Sequence, residues 1–241
     1  MGLRAIEALA PGSGDRVLDI GCGAGQTLLQ LAERVGAEGQ VIGVDVAPLL
    51  LDIAKRRTEP LRQVRLIEAD AQFLDLPSES ADAVFSRFGV MSFNDPVAAF
   101  ANFRRILRPS GALAFSCWRS LAENELDHLP LAAAGIQSTV DESPFSFADP
   151  EHIRRTLEAA GFREIVIQSY DEKVSSGDLD AMTGVLLKVG PLGKMVRENP
   201  ALRAAAEPRL RAALAALGDP SRVQLSAAVW IVTARVGAPT R

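Results

Sequence analysis

The chain is poor in the residues that build metal centres and disulfide frameworks. Its 241 residues include two cysteines, Cys22 and Cys117, and two histidines, His128 and His152. The cysteines are far apart and form no Cys-x-x-Cys pair. Since a structural zinc site takes four ligands, we predict no metal site. Two isolated cysteines favour a reduced, cytoplasmic setting.

Long apolar runs and an excess of positive charge are also missing. No apolar run approaches the ~20 residues of a membrane span, and the N-terminal residues lack the charged and apolar regions of a signal peptide. The net charge of −4 gives no support to a nucleic-acid partner. The composition, 48% hydrophobic and 23% charged, is typical of a globular protein. We expect a single domain over residues 1–241.

Between residues 16 and 170, short apolar runs alternate with segments of helical periodicity. Asp95-Pro96 and Asp149-Pro150 each combine a capping side chain with a proline that suits a first helical position. Apolar strands separated by helices favour an α/β fold, with a mostly parallel sheet covered on both faces. The predicted strands are 16–20, 40–45, 64–67, 81–86, 112–117, 165–167 and 227–232.

Two segments interrupt this alternation. Residues 119–148 show no clear period, and residues 174–222 contain predicted helices at about 179–189 and 200–217. Both segments leave from carboxyl ends of strands or return near them, which is where open α/β sheets bind ligands. We predict that they are substrate-binding or lid insertions.

The most informative stretch is Val17–Gln26, which indicates a strand, a glycine turn and a helix start. The turn contains Gly21, Cys22, Gly23 and Gly25, and glycine lets a ligand lie directly on the backbone. Asp19 precedes the turn and would repel the pyrophosphate of a dinucleotide. S-adenosylmethionine (SAM) carries an ammonium and a sulfonium besides its carboxylate, so an acid beside a helix N-terminus suits it.

Acidic residues also end the next two predicted strands. Asp45, followed by Val46, lies where a carboxylate can accept hydrogen bonds from both ribose hydroxyls. This position fits a nucleoside without choosing between SAM and a nicotinamide cofactor. Asp70 could accept from the exocyclic amine of adenine, and the small Ala71 leaves room for the ring.

These motifs together resemble the class I SAM-dependent methyltransferases. The resemblance covers about residues 11–170 and the last strand, near Trp230. It implies a Rossmann-like seven-stranded sheet with strand order 3-2-1-4-5-7-6 and an antiparallel last strand. It also implies that Asp19 and the glycines contact the methionine part of SAM, Asp45 the ribose and Asp70 the adenine. The segment 86–91 is similar to a branch that acts mostly on small molecules.

We predict the following site residues. The cofactor-binding set is Asp19, Gly21, Cys22, Gly23, Gly25, Asp45, Val46, Asp70, Ala71, Ser86 and Arg87. The predicted substrate pocket contains Phe88, Met91, Trp118 and Arg119. No general base stands out, and His128 and Arg87 are the weak catalytic candidates. Cys22 is interpreted as a small filler, and His152, near a helix start, as part of the scaffold.

Several alternatives stay open at this stage. A nicotinamide-dependent oxidoreductase would call for a third glycine at Gln26 and no acid at Asp19, and both expectations fail. A SAM-binding protein without transfer activity, or another SAM-dependent reaction on the same fold, would retain every motif above. Members of the small-molecule branch usually have several tens of residues before the first strand, including a helix over the cofactor, whereas about fifteen precede Val17 here. Two explanations stay open: the N-terminal lid helix is missing from the given sequence, or residues 174–222 supply the lid. The acceptor, and the choice between a monomer and a homodimer, are not indicated.

Overall fold

The computed structural model describes residues 1–136 and 141–237. Residues 137–140 of the first predicted insertion therefore lie outside the described residues. The strands are β1 (Arg16–Ile20), β2 (Gln40–Asp45), β3 (Val64–Glu68), β4 (Ala81–Arg87), β5 (Leu107–Trp118), β6 (Phe162–Val174) and β7 (Leu225–Val236). The α-helices are α1 (Gly2–Leu9), α2 (Gln26–Val35), α3 (Pro48–Thr58), α4 (Pro96–Ile106), α5 (Glu125–Ala134), α6 (Pro150–Ala159), α7 (Leu179–Leu186), α8 (Gly190–Glu198) and α9 (Leu202–Ala215).

The strands form one sheet in the order β3-β2-β1-β4-β5-β7-β6. β1 pairs in parallel with β2 and β4, and parallel pairing continues to β3 on one side and to β5 on the other. The last strand is antiparallel. The predicted fold class and strand order are therefore confirmed. Because the four pairs are parallel, the carboxyl ends of β1, β2, β3 and β4 meet at one edge of the sheet.

The predicted caps form as expected. The side chain of Asp95 accepts a hydrogen bond from the Ala98 N–H at 2.9 Å, and Asp149 accepts from the Glu151 N–H at 2.9 Å. Each cap precedes a proline at the first helical position, where the missing N–H has no helical partner to lose. Gly36, with φ of 69°, ends α2 as its C-cap.

The structure also contains helices that the pattern did not reveal. Residues 125–134 form α5 although Pro130 lies inside it, so the expectation of an irregular segment from 119 to 148 was wrong there. α8 was not predicted, because glycine and proline have low helix propensity and its first residues include Gly190, Pro191 and Gly193. α1 was not predicted either. It has no side-chain cap, and its eight residues are too few to show a clear helical periodicity. β5, β6 and β7 are also longer than predicted.

The chain forms two compact units, each with a core of its own. The first comprises Met1–Cys117, Ser146–Tyr170 and Val229–Arg241, and the second Trp118–Phe145 and Asp171–Ala228. The first core contains Leu18, Val84 and Phe115 from the sheet and Phe100 and Phe103 from α4. The second core packs residues of α5, α7, α8 and α9, among them Leu131, Met182, Leu186, Leu192 and Leu210. In the part of the chain that the structure describes, no helix is both long enough and apolar enough to cross a membrane.

Candidate functional site

A cavity of about 480 Å³ lies within the first unit, at the carboxyl ends of β1, β2, β3 and β4. A volume of this size is within the range of small-molecule clefts. The cavity is lined by Ile20, Gly21, Gly23, Val44, Asp45, Val46, Leu50, Ala69, Asp70, Ala71, Arg87, Phe88, Gly89, Ser92, Phe93 and Asn94. Eight of the residues predicted to bind cofactor or substrate are in this lining: Gly21, Gly23, Asp45, Val46, Asp70, Ala71, Arg87 and Phe88.

The floor of the cavity is made by backbone. Gly21 (φ 69°) follows β1, and a Cβ on it would lie 2.7 Å from the Cα of Gly89, which follows β4. A Cβ on Gly89 would in turn lie 2.4 Å from the carbonyl oxygen of Ile20. Gly23 differs, because a Cβ there would meet no atom of the described chain within 4 Å. The turn thus needs glycine at Gly21 for packing, while Gly23 leaves open space for a ligand.

Asp19 is fully buried beside this turn. Its Oδ2 accepts a hydrogen bond from the Thr27 hydroxyl of α2 at 2.5 Å, whereas Oδ1 has no hydrogen-bond partner among the described residues. Burial raises the pKa of Asp19 to about 7, against the lowering effects of the Thr27 hydroxyl and the Arg87 charge. A buried acid with one unpartnered oxygen can accept a further hydrogen bond from a cationic ligand group.

Asp45 is held by backbone on both of its carboxylate oxygens. Oδ2 accepts from the Gly23 N–H at 2.8 Å, and Oδ1 accepts from the Ala47 N–H at 2.9 Å. These bonds connect the turn after β1 to the turn after β2 and fix the orientation of the carboxylate. Each oxygen retains capacity for another donor, as ribose hydroxyls would supply.

Asp70 has a local structural role as well as a place in the cavity. Its Oδ1 accepts from the Gln72 N–H at 2.9 Å and caps a short 3-10 turn over Ala71–Phe73. Ala71 is buried in this turn. Phe73, which follows, is exposed by 74%. The capping role and the predicted adenine contact are compatible, because the other oxygen of Asp70 is not used by the cap.

Three further residues predicted to bind the cofactor lie outside the cavity lining, namely Ser86, Cys22 and Gly25. Ser86 is fully buried; its hydroxyl donates to the Ile20 carbonyl at 2.8 Å and accepts from the Gly89 N–H at 3.1 Å. Cys22 is buried, and burial raises the pKa of its thiol, as do the charges of Asp19 and Asp45. Gly25 (φ 80°) is the N-cap of α2. These three residues and Asp19 are not in the cavity lining.

Arg87 and Phe88 line the cavity at the end of β4. Phe88 has a φ of 62°, which is strained for a residue with a side chain, and its N–H donates to the Ser116 carbonyl at 3.0 Å. The predicted pocket residue Met91 instead packs against the first core. Strained backbone at a cavity wall is common at binding sites.

Trp118, Arg119 and His128 belong to the second unit. The Arg119 guanidinium forms ion pairs with Asp171, at 2.9 Å, and with Glu123. These pairs occupy it with protein carboxylates, which argues against the predicted substrate-binding role. His128 lies exposed on α5, a helix within the segment 119–148 in which no clear period was found. It lines a shallow depression with Glu125 and Lys173, which form an ion pair at 3.4 Å.

Sequence reasoning missed part of the lining. Leu50, Gly89, Ser92, Phe93 and Asn94 line the cavity but were not predicted as site residues. The one available signal was Gly89, a glycine just after a predicted strand. Ile20 and Val44 are buried core residues that also contribute to the lining. Among the described residues, no group of three or more His, Cys, Asp or Glu side chains is placed to hold a metal ion.

The residues present fit SAM. The open space at Gly23 can receive a ligand on the backbone, Asp19 offers an unpartnered oxygen to an ammonium, and Asp45 presents an oriented carboxylate. A family profile described as "Methyltransferase domain" matches residues 17–111. Residues 17–111 are thus similar to a methyltransferase domain, and the fold is that of the class I methyltransferases, which use SAM as their cofactor.

The chain is also similar to individual methyltransferases and to solved structures. The chain is 38% identical to aklanonic acid methyltransferase DauC of Streptomyces sp. (strain C5) over 118 residues, which cover 48% of this chain and 54% of that protein. It is 26% identical to the demethylmenaquinone methyltransferase of Staphylococcus saprophyticus over 191 residues, 72% of this chain and 81% of that protein. The crystal structure of the YcgJ protein of Bacillus subtilis shares the fold, with a TM-score of 0.67 and 18% identity over 98% of this chain and 97% of that one.

Proposed function

We propose that the chain transfers a methyl group from SAM, bound in the cavity of the first unit, to a small organic acceptor. The observation that carries this proposal is the grouping of the glycine turn, Asp45 and Asp70 around one cavity at the ends of β1, β2 and β3. In parallel α/β sheets, ligands bind at this edge.

Asp45 is proposed to bind the ribose. Its carboxylate is already oriented by the N–H groups of Gly23 and Ala47, so little rearrangement is needed when ribose hydroxyls donate to it. Such charge-assisted hydrogen bonds are among the stronger ones in proteins. The exposed Val46 and the partly exposed Leu50 offer apolar surface beside it.

Asp70 and Ala71 are proposed to bind the adenine. The cap on the Gln72 N–H fixes the Asp70 carboxylate, which then accepts from the exocyclic amine. The methyl side chain of Ala71 leaves space for the ring, and Phe93 supplies apolar lining. This pair of contacts would distinguish a nucleoside from a simple amino acid.

Bound SAM supplies a methyl group on a positively charged sulfur, and transfer is an in-line displacement by the acceptor. The chain's part is to hold the two reactants at attack distance and to keep water away. The buried walls around Ile20 and Val44 and the backbone floor at Gly21 and Gly89 serve that purpose. No residue is assigned as general base, since the need for one depends on the acceptor.

The names of the relatives suggest which acceptors to test. One relative is named for aklanonic acid and another for demethylmenaquinone, and both names indicate methylation of a small molecule. We propose an acceptor of that size class. A cytoplasmic location is also proposed, supported by two free, buried cysteines. The sequence leaves the choice between a monomer and a homodimer open, and sedimentation velocity would distinguish the two.

The test is turnover of SAM with a panel of acceptors that includes aklanonic acid and demethylmenaquinone. Release of S-adenosylhomocysteine (SAH), together with a product 14 Da heavier than the acceptor, would support the proposal. A product of any other mass would indicate a different SAM-dependent reaction. Binding of SAH without turnover of any acceptor would favour a SAM-binding protein that lacks transfer activity.

A further inference from the structure

An apolar surface is exposed at the edge of the cavity, on the side of β2 and β3. Val46, which follows β2, and Leu50 of α3 line the cavity and are also exposed to solvent. Leu49, in the first turn of α3, is exposed by 78%. Phe73 follows the cavity residue Ala71 by two positions and is exposed as well. We name the following exposed residues the apolar patch: Val46, Leu49, Leu50, Ile53 and Phe73.

The apolar patch continues along α3 into a group of positive charges. Residues three or four apart share one face of a helix, so Leu49, Ile53 and Arg56 lie on one face of α3. We name the exposed cations in the last turn the basic end of α3, namely Lys55, Arg56 and Arg57. The exposed acids of α3 and its C-cap are Asp52 and Glu59. Cations are therefore in excess on this surface.

The outer face of α3 projects from its unit. The opposite face is buried through Leu51, Ala54 and Thr58, so the helix is fixed in place and presents only its outer face. Because a side chain exposed by 78% has little of its surface covered by neighbours, Leu49 does not lie in a groove. A partner helix binds in a groove, whereas projecting apolar side chains enter a lipid surface. Clustered apolar exposure beside cations thus favours a membrane over a protein partner.

We propose that the apolar patch and the basic end of α3 bind the protein to a membrane surface that contains anionic lipids. The apolar side chains enter the boundary between head groups and acyl chains, and the cations are complementary to the lipid phosphates. Lysine and arginine suit this position, since their long side chains reach the head groups while their stems lie against apolar surface. Since one face of α3 stays packed on its own unit, the binding is peripheral.

This inference goes beyond the proposed function and does not depend on it. Val46 and Leu50 belong both to the apolar patch and to the cavity lining. Membrane binding would therefore bring this part of the cavity wall next to the lipid, where apolar acceptors are concentrated.

The experiment is flotation of the full chain with two kinds of vesicle. One kind is phosphatidylcholine alone, and the other is an equal mixture of phosphatidylcholine and phosphatidylglycerol. We expect the wild type to bind the mixed vesicles more strongly, and added salt to weaken that binding. Leu49→Ser should weaken binding to the mixed vesicles by about 10-fold, because less apolar surface is buried. Arg56→Gln should weaken it by about fivefold, because one cation is lost.

Each variant has a matched control elsewhere in the same unit. Val166→Ser removes an exposed apolar side chain from β6, and Arg155→Gln removes an exposed cation from α6. Both controls should bind the mixed vesicles as the wild type does. Leu49 and Arg56 are not in the cavity lining, so their variants should keep the wild-type affinity for SAH. Circular dichroism and the thermal midpoint show that each variant is folded.

Three results would overturn the inference. The first is wild-type protein that floats with neither kind of vesicle. The second is binding by Leu49→Ser and Arg56→Gln that equals that of the wild type, and the third is an equal loss in Val166→Ser. If the wild type floats with no vesicle but sediments as a dimer, and Leu49→Ser sediments as a monomer, the apolar patch binds a second copy of the chain instead.

Discussion

Asp19 combines full burial with an ionisable group that has one unpartnered oxygen. Removal from water is the largest influence on it and raises its pKa from 3.8 to about 7. The hydroxyl of Thr27 and the charge of Arg87 favour the ionised form but do not outweigh burial. In the absence of a ligand, a substantial fraction of Asp19 is therefore protonated at neutral pH.

This shift predicts how stability depends on pH. Between the unfolded and folded pKa values, the folded state holds a proton that the unfolded state has lost, so the free energy of unfolding falls as pH rises from about 4 to 7. The slope from one group is at most about 1.4 kcal/mol per pH unit. Asp19→Asn removes this contribution, so the variant should gain stability relative to the wild type as pH rises. Urea unfolding at several pH values measures the difference.

The exposed Asp52→Asn on α3 is the control for this experiment. Its stability difference from the wild type should be nearly constant over the same range. A constant difference for Asp19→Asn as well would mean that Asp19 is ionised in the folded protein throughout.

A second residue-scale prediction concerns Asp45. Replacement by alanine should weaken SAH binding by about 1–3 kcal/mol, because charge-assisted hydrogen bonds to the ribose are lost. The loss of the two backbone bonds to Gly23 and Ala47 also frees the turn. Calorimetry with the wild type and with Asp52→Ala as the control measures the effect. Unchanged affinity in Asp45→Ala would contradict the ribose assignment.

At the scale of elements, the turns after β1 and β4 depend on each other. Gly89→Ala should destabilise the fold by about 1–3 kcal/mol or more, because the added Cβ would lie 2.4 Å from the Ile20 carbonyl oxygen and 2.8 Å from the Gly21 Cα. Urea unfolding measures the change in the free energy of unfolding. The strain also distorts the cavity floor, so SAH affinity should fall.

Gly184→Ala is a matched control, for which we expect the free energy of unfolding to change in the opposite direction. Gly184 lies within α7, and apart from its chain neighbours and the backbone of its own helix, no atom of the described chain lies within 4 Å of the position that a Cβ would take. Alanine there should stabilise the protein by about 0.4–1 kcal/mol through a less flexible unfolded chain. If the two alanine variants lost stability equally, contact between the turns would not explain the effect at Gly89.

Sequence reasoning recovered the elements whose signals are local. The first four strands were found to within one residue, because each is a short apolar run bounded by turn residues. The caps at Asp95 and Asp149 were found because a capping side chain and a proline occur together. α5 and α8 were missed because proline or glycine inside them contradicts helix propensity, and packing against the second core outweighs that propensity.

Part of the site was predictable as well, because the acids that line it have local sequence signals. Asp45 and Asp70 end strands, and the fold brings strand ends to one edge. Phe93 and Asn94 lie in the turn after β4. An irregular turn has no sequence periodicity from which the direction of a side chain could be predicted. The unpartnered hydroxyl of Ser116 was not predictable either, because the surroundings of a buried side chain depend on strand register. The ion pair between Arg119 and Asp171 likewise joins residues 52 positions apart.

At the scale of the whole molecule, cofactor binding and stability are linked. SAH at 100 times its dissociation constant should add about 2.7 kcal/mol to the stability of the unit that binds it. For a chain of this size, that corresponds to an increase in the thermal midpoint of about 5–10 °C. Differential scanning calorimetry measures the increase. NAD at the same concentration is the control and should leave the midpoint unchanged, whereas an equal increase with NAD would favour a dinucleotide site.

The contact between Gly21 and Gly89 also limits how this sequence can diverge. Each α-carbon occupies the space in which a side chain on the other would lie. A side chain at either position, or at both, forces the two turns apart. A substitution at one glycine therefore does not make a substitution at the other less destabilising. Descendants of this gene can therefore alter the cavity rim through Val46, Leu50 or Phe93 one step at a time, while the glycine pair is inherited unaltered.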